Sequence, residues 1–427
     1  MDTIRNFGRL TFSSFLIRNY RLYFIGQAIS LSGTWMQTVA QGWLVLQLTG
    51  SGTQLGIVVA LQFLPLLMFG PWGGLFADRH NKRTILYYTN GVSALLSLGL
   101  SVLVFSNATH LWHLYVLALG SGLVRIFENP ARQTFIPELV GNEHLKNAVS
   151  LNATANNLAR VIGPSISGIL IAGVGIAFCF LVNAFSFVIG IAVLFLMHKE
   201  ELHPVTPKPK QPYEVRDGFR YVMKTSLIRN TLIMMALVGT FVFEFQVSLP
   251  IFAVQTFHGD AASYALLMSS LGLGSVLGGL FAAGRTTVVP QHLVIFAALC
   301  GTSLVAASLM PTLALAAVAL GVVGFFTINV TSLANTMIQL ESDPSMRGRV
   351  MALWSMAMQG STPIGGPIVG FVAEFGGGRW GVAVGGAAAL LAAFFGYMTL
   401  RKKDEEIIPE HVHVFAEEAT AEHAKRT

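Results

Sequence analysis

Apolar residues in this chain come in long blocks with no strand-like alternation, and the blocks are separated by short polar or glycine-rich breaks. A helix needs roughly 20 apolar residues to cross a bilayer. Between Tyr20 and Leu400 twelve stretches meet that length, near 20–48, 53–77, 84–105, 111–131, 146–172, 176–197, 228–256, 261–284, 291–310, 313–337, 347–375 and 379–400. The pattern predicts an all-α membrane protein. A Pro- and Lys-containing stretch from His198 to Lys224 divides the spans six and six. The expected organisation is an N-terminal segment 1–19, a six-helix bundle 20–197, a linker 198–227, a second six-helix bundle 228–400 and a tail 401–427.

The halves are related in sequence. Gly73-Gly74-Leu75-Phe76-Ala77 returns as Gly278-Gly279-Leu280-Phe281-Ala282, Leu16-Ile17-Arg18-Asn19 as Leu227-Ile228-Arg229-Asn230, and Gly163-Pro164 as Gly366-Pro367. The offsets are 205, 211 and 203, so the matches are collinear and point to an internal duplication. Asp78-Arg79 follows the first copy of the pentapeptide and Ala283-Gly284 the second, so only one copy carries charge.

Composition agrees with the pattern: 53% of residues are hydrophobic and only 11% charged, against about 25% charged in soluble domains. Lys and Arg collect in cytoplasmic loops. Here the runs Arg5–Arg21, Arg79–Arg83, Arg132 with Lys146, Lys199–Arg229, Arg285, Arg347 with Arg349, and the tail from Arg401 all fall on one side. Arg379 is the one basic residue in an expected outer loop. Both termini and the linker are therefore expected in the cytoplasm. This asymmetry accounts for the net charge of +6 without nucleic acid. Cys179 and Cys300 sit inside apolar spans and imply no disulfide framework. Residues 1–21 lack a cleavable apolar segment, and the charged tail reads as disordered.

Ionisable groups inside a bilayer cost roughly 2.5–3.5 kcal/mol each on insertion scales, so each one raises a functional question. Five occur here: Arg125 and Glu128 in span 4, Arg160 in span 5, Glu244 in span 7, and Glu374 near the outer end of span 11. No histidine lies deep within a span, His113 and His292 falling only at span ends, which disfavours an imidazole proton relay. Arg125 and Glu128 share a helical face at a spacing of three, either as a local ion pair or as part of a substrate or coupling site. Arg160 ends a polar run through Asn147, Ser150, Asn152, Thr154, Asn156 and Asn157. That run must line water or bond another helix. Glu244 is the lone acid deep in the C-terminal half, either a coupling proton site or a protonated structural hydrogen-bonding group. In span 1, Gln27, Ser30, Ser32, Thr34, Gln37, Thr38 and Gln41 form a wet stripe. Trp35 there could stack a ligand or anchor the interface, and Trp43 reads as an anchor.

The segment Gly74-Leu75-Phe76-Ala77-Asp78-Arg79-His80-Asn81-Lys82-Arg83 resembles the major facilitator superfamily signature between spans 2 and 3, with Asn81 in place of the usual glycine. Gly73 and Gly74 are expected to admit a neighbouring helix. Lys82 and Arg83 are expected to hold the loop at the anionic leaflet. The resemblance implies that Asp78 docks near Arg347-Gly348-Arg349 as a cytoplasmic latch. Gly163-Pro164-Ser165-Ile166-Ser167-Gly168 resembles the Gly-Pro motif of the superfamily's proton-coupled exporters, without its final adjacent glycine. It is a coupling motif or a bare kink, and Gly366-Pro367 places a similar bend in span 11. By contrast, Gly272 to Gly278 lies within a span and reads as helix packing, not as a dinucleotide loop.

With Gly33-Thr34-Trp35-Met36-Gln37 and Pro130-Ala131-Arg132-Gln133, these segments make residues 10–400 similar to the twelve-span bacterial drug and siderophore exporters, the group of macrolide efflux proteins and the enterobactin exporter. The resemblance implies two pseudo-symmetric bundles around a cavity lined by spans 1, 4, 7 and 10. It further implies proton-coupled export of an amphipathic small molecule across the bacterial inner membrane. The expected partners are that substrate, protons and the lipid bilayer, with the protein a monomer and no cofactor or metal. An importer or facilitator of a small nutrient is the alternative. A membrane-embedded enzyme is remoter, because the spans lack convergent His or metal-ligand spacing, and an ATP-driven pump lacks its phosphate loop.

Overall fold

The computed structural model describes residues 13–141, 143–203, 215–285 and 287–400. The start of the N-terminal segment, most of the linker's Pro-rich part and the tail lie outside the described residues, as do the expectations placed on them. The described chain is helical: α1 (Arg18–Thr49), α2 (Gly52–Arg79), α3 (Lys82–Phe105), α4 (Leu111–Val140), α5 (Leu145–Gly173), α6 (Ile176–Leu196), α7 (Val215–Lys224), α8 (Ser226–Phe241), α9 (Phe245–Phe257), α10 (Ala261–Ala283), α11 (Pro290–Leu309), α12 (Leu313–Glu341), α13 (Arg347–Met358), α14 (Thr362–Gly376) and α15 (Gly378–Leu400).

Eight segments are long and apolar enough to cross a membrane on those grounds alone: those beginning at Gly52, Lys82, Ile176, Ser226, Ala261, Pro290, Leu313 and Gly378. The other four expected spans are α1, α4, α5 and the α13–α14 pair. The first three carry the wet stripe, Arg125 with Glu128, and the polar run ending in Arg160.

Three expectations are corrected. Span 4 does not end near residue 131: α4 runs through Pro130 and Pro137 to Val140. A proline forfeits one helical hydrogen bond but is tolerated where neighbouring helices hold the segment. Span 7 is two helices, because the backbone between Phe241 and Phe245 leaves the helical path and the Glu244 carbonyl starts α9, accepting from Val247 and Ser248 N–H at 3.0 and 2.9 Å. Span 11 is also two helices, of 12 and 15 residues, separated at Gln359–Ser361. Pro363 suits that position, since proline is favoured in the first turn of a new helix, where its missing N–H costs no helical bond.

The repeat recurs in the packing. In the N-terminal half α2 packs on α4, and α3 on α6; in the C-terminal half α10 packs on α12, and α11 on α15. The pentapeptide supplies the close approach in both halves. A Cβ at Gly73 would lie 2.8 Å from the Ile126 carbonyl carbon on α4, and one at Gly278 would lie 2.5 Å from the Phe325 carbonyl oxygen on α12. Gly74, expected to share this role, has nothing within 4 Å of its Cβ position. The halves meet through α2 against α14 and α5 against α10. The linker contributes α7, which lies on α13, with Tyr221 Oη accepting from the Asp343 N–H at 3.0 Å.

Candidate functional site

The seam between the halves is closed at the end distant from the basic loops. There the Glu374 carboxylate of α14 accepts from the Ser51 hydroxyl at 2.7 Å and the Thr53 N–H at 2.8 Å, at the N-terminus of α2. A carboxylate at a helix N-terminus meets unsatisfied N–H groups and the positive end of the helix dipole. Below it the backbones nearly touch: a Cβ at Gly52 would lie 2.7 Å from Gly370 O, and one at Gly56 would lie 2.8 Å from Pro367 Cα. On the other seam Ser165 Oγ and Ser269 Oγ are 2.9 Å apart, and Gly168 faces Ala265. At the basic end Asp78 is exposed and makes no ion pair among the described residues.

The signature loop is built differently from its expectation. Lys82 pairs with Glu138 at 2.9 Å. Arg83 is buried, 6% exposed, and donates to the carbonyls of Leu194, Phe195 (3.4 Å) and Met197 (3.2 Å). The cause is local, because the last carbonyls of α6 have no helical partner and a guanidinium offers five donors to satisfy them. Arg79 is exposed beside Asp78. His80 stacks on Phe76 at 4.0 Å, and in the second copy Arg285, at the same offset, lies over Phe281 at 5.4 Å.

The N-terminal half contains a polar cavity of about 60 Å³, bordered by Thr34, Gln37, Thr38 and Gln41 of α1 and by Gln62, Ser97, Ser121, Arg125, Glu128 and Asn183. The stripe on α1 thus faces helices of its own half. Gln37 Oε1 accepts from Ser97 Oγ at 2.7 Å and from Asn183 Nδ2 at 2.6 Å, which leaves its amide nitrogen as a donor. Glu128, 8% exposed, forms its ion pair with Arg132 one turn further on. Arg125, the expected partner, instead lies over the Phe63 ring at 5.6 Å. Arg132, expected in a cytoplasmic loop, lies within α4, where the spacing of four brings it onto the face of Glu128.

Arg160 and Trp35, singled out separately, belong together, with the guanidinium 5.1 Å from the indole centroid. Gly163 makes that contact feasible, since a Cβ there would lie 2.5 Å from Trp35 Cβ and 2.6 Å from Ser32 O. Pro164 lies within α5, which continues past it to Gly173.

Glu244 sits where α8 gives way to α9 and is 2% exposed. Its carboxyl lies against α14: Cβ atoms at Gly365 and Gly366 would meet its oxygens at 3.2 and 3.4 Å, and the one at Gly366 would also lie 3.0 Å from Gly56 O across the seam. Thr362 neighbours the carboxyl, yet Oε1 has no hydrogen-bond partner among the described residues. A buried polar oxygen left unpaired is rare enough to require a reason. The two helix interruptions, at Val242–Glu244 and Gln359–Ser361, are joined by the packing of α8 on α13 and α14. Interrupted membrane helices free backbone groups and mark sites in transporters.

Comparison with known proteins agrees with this architecture. The family described as transmembrane secretion effector matches residues 10–426, and the chain belongs to that family of major facilitator transporters. It is 26% identical over 359 residues to the enterobactin exporter EntS of Citrobacter koseri, covering 82% of this chain and 84% of that one. It is also 26% identical over 276 residues to the staphyloferrin A transporter of Staphylococcus aureus, covering 64% and 67%. Among solved structures, a bacterial homolog of the human lysosomal transporter Spinster in an inward-facing, unoccupied conformation superposes with a TM-score of 0.71 at 14% identity, covering 90% of this chain and 96% of that one. A POT family transporter in complex with a thioalcohol-conjugated peptide superposes with a TM-score of 0.73 at 12% identity, covering 91% and 97%. The chain is a multi-pass membrane transporter and not an enzyme.

Proposed function

We propose that this protein exports an amphipathic small molecule of the drug or siderophore class across the bacterial inner membrane in exchange for protons, with both termini in the cytoplasm and one chain as the working unit. The twelve spans form two six-helix halves that alternate access to a site between them. The observation that carries the reading is Glu244, a buried carboxyl with a free oxygen, set at a helix interruption against the seam.

A carboxylate without a cation beside it is expensive to hold ionised away from water, so the closed seam favours the protonated form. Opening the seam admits water and lets the proton leave. Proton occupancy and seam closure are thereby linked, and each biases the other by the same free energy. The Glu374 contacts and an exposed, unpaired Asp78 among the described residues support reading this conformation as the cytoplasm-facing state. Asp78 would latch the opposite state, and Gly163-Pro164 and Gly366-Pro367 shape the halves. The relatives named as siderophore transporters support export of that class.

Everted membrane vesicles carrying the protein test this. A panel of siderophores, macrolides and dyes is added while an acid-interior gradient is monitored. Substrate-dependent dissipation of the gradient is expected with at least one compound, and gradient-independent uptake of all transported compounds would contradict proton exchange.

A further inference from the structure

The interior of the N-terminal half holds more positive than negative charge. Arg125 and Arg160 stand near the midpoints of α4 and α5, and each lies over an aromatic ring, Phe63 for the first and Trp35 for the second. That contact holds the cation over a ring without occupying it in an ion pair, and its N–H groups remain suited to an oxygen ligand. Neither arginine forms an ion pair among the described residues, and Glu128, the acid nearest Arg125, is committed to Arg132. Arg125 also borders the polar cavity, whose other lining groups are hydroxyls, amides, Phe187 and Glu128. Inside a membrane an arginine without a counter-ion costs several kcal/mol even where water reaches it. Both are braced by rings and stand outside ion-pair distance of any acid among the described residues, Glu128 acting on Arg125 only at longer range across the shared cavity.

We infer that the transported molecule is an organic anion, and that Arg125 takes its carboxylate-type group while Arg160, on the other flank of α1, supplies a second positive charge along the substrate's path. This rests on the exporter reading and deepens it by fixing the charge of the substrate. The cavity of about 60 Å³ accommodates an anionic headgroup and not a whole drug-sized molecule, which leaves the apolar remainder in the space between the halves. A guanidinium suits this task because its paired N–H groups match the two oxygens of a carboxylate, and a fixed guanidinium loses little freedom on binding. Glu128 and Arg132 neutralise one another beside the site. Glu244, on the C-terminal half, lies against α14 and adds no negative charge to the cavity wall.

The test uses purified full-length protein in nanodiscs with three matched probes: 2-naphthoate, its uncharged amide 2-naphthamide, and the cation 2-naphthylmethylammonium. Binding is measured by calorimetry, and folding by gel filtration and thermal melting. Naphthoate is expected to bind at least tenfold more tightly than the amide and to compete with any exported compound. Arg125→Gln should weaken naphthoate binding by about 10- to 100-fold, the range for a charged hydrogen bond, and leave the amide unchanged. Arg160→Gln should weaken it less, and Arg125→Lys should restore part of the loss. Equal or stronger binding of the amide or cation, no binding of naphthoate by the folded protein, or unchanged naphthoate affinity in both glutamine variants would overturn the inference. Transport is assayed separately in proteoliposomes. Anion-selective binding without export would sink the exporter reading and leave this one standing, whereas preferential export of the cation would do the reverse.

Discussion

Glu374 and Ser51 are 323 positions apart in the chain, and their side chains are 2.7 Å apart across the closed seam, the carboxylate also taking the Thr53 N–H. Hydrogen bonds to a charged group contribute about 1.5–3 kcal/mol each. Glu374→Gln, which keeps shape and removes charge, is expected to shift the equilibrium toward the state open at that end by about tenfold. Spin labels at Leu48→Cys and Phe375→Cys would show it as a growing long-distance population. An unchanged distance distribution would remove the latch from the account.

The glycines of the repeated pentapeptide should differ in their tolerance of a methyl group. Gly73→Ala and Gly278→Ala each push a Cβ into the backbone of the helix opposite, and overpacking of this kind costs about 1–3 kcal/mol. Gly74→Ala meets open space and should leave the melting temperature the same or slightly higher. Equal losses at Gly73 and Gly74 would show that the first glycine is not the packing contact.

Arg83 is expected to act through stability. Arg83→Ala strips donors from the carbonyl end of α6 and should lower the melting temperature by the equivalent of about 2–3 kcal/mol, with Arg83→Lys falling between. Fluorescence-detected thermal melting of the detergent-solubilised protein measures this. A normal melt with impaired transport would assign Arg83 to lipid contact instead.

Asp78, exposed here, should matter only in the other state. Asp78→Asn is expected to leave the melting temperature of the present conformation within about 0.5 kcal/mol of its original stability, as for surface sites, while reducing transport several-fold. Normal transport by Asp78→Asn would end its role as a latch.

The all-helical, membrane-spanning character of the chain was legible because span length is a coarse signal fixed by the bilayer itself. The duplication was legible too, since Gly73 and Gly278 meet the same backbone constraint twice. Helix interruptions were not. Val242–Glu244 lies in an apolar run whose composition reads as continuous helix, and of the two neighbouring prolines Pro363 starts α14 while Pro367 sits inside it, a choice that composition does not make. Partner choice was also hidden. Glu128 has an arginine at both three and four positions along the chain direction or against it, Arg125 and Arg132, and only the extension of α4 past Pro130 decides between them. The Glu374 contact joins residues more than 300 positions apart, a relation without local trace in the chain. Cavity residues such as Gln62 and Asn183 sit in segments otherwise dominated by apolar neighbours, where one polar residue carries little signal.

The central claim is that Glu244 links proton occupancy to the seam, and Glu244→Gln in proteoliposomes tests it most directly. The variant mimics the protonated carboxyl in shape and charge. Two rates are compared on one preparation, counterflow exchange of substrate without a gradient and uphill accumulation driven by an imposed pH gradient. The account predicts that exchange persists while gradient-driven accumulation falls to the level of empty liposomes. Full gradient-driven accumulation by Glu244→Gln would contradict it.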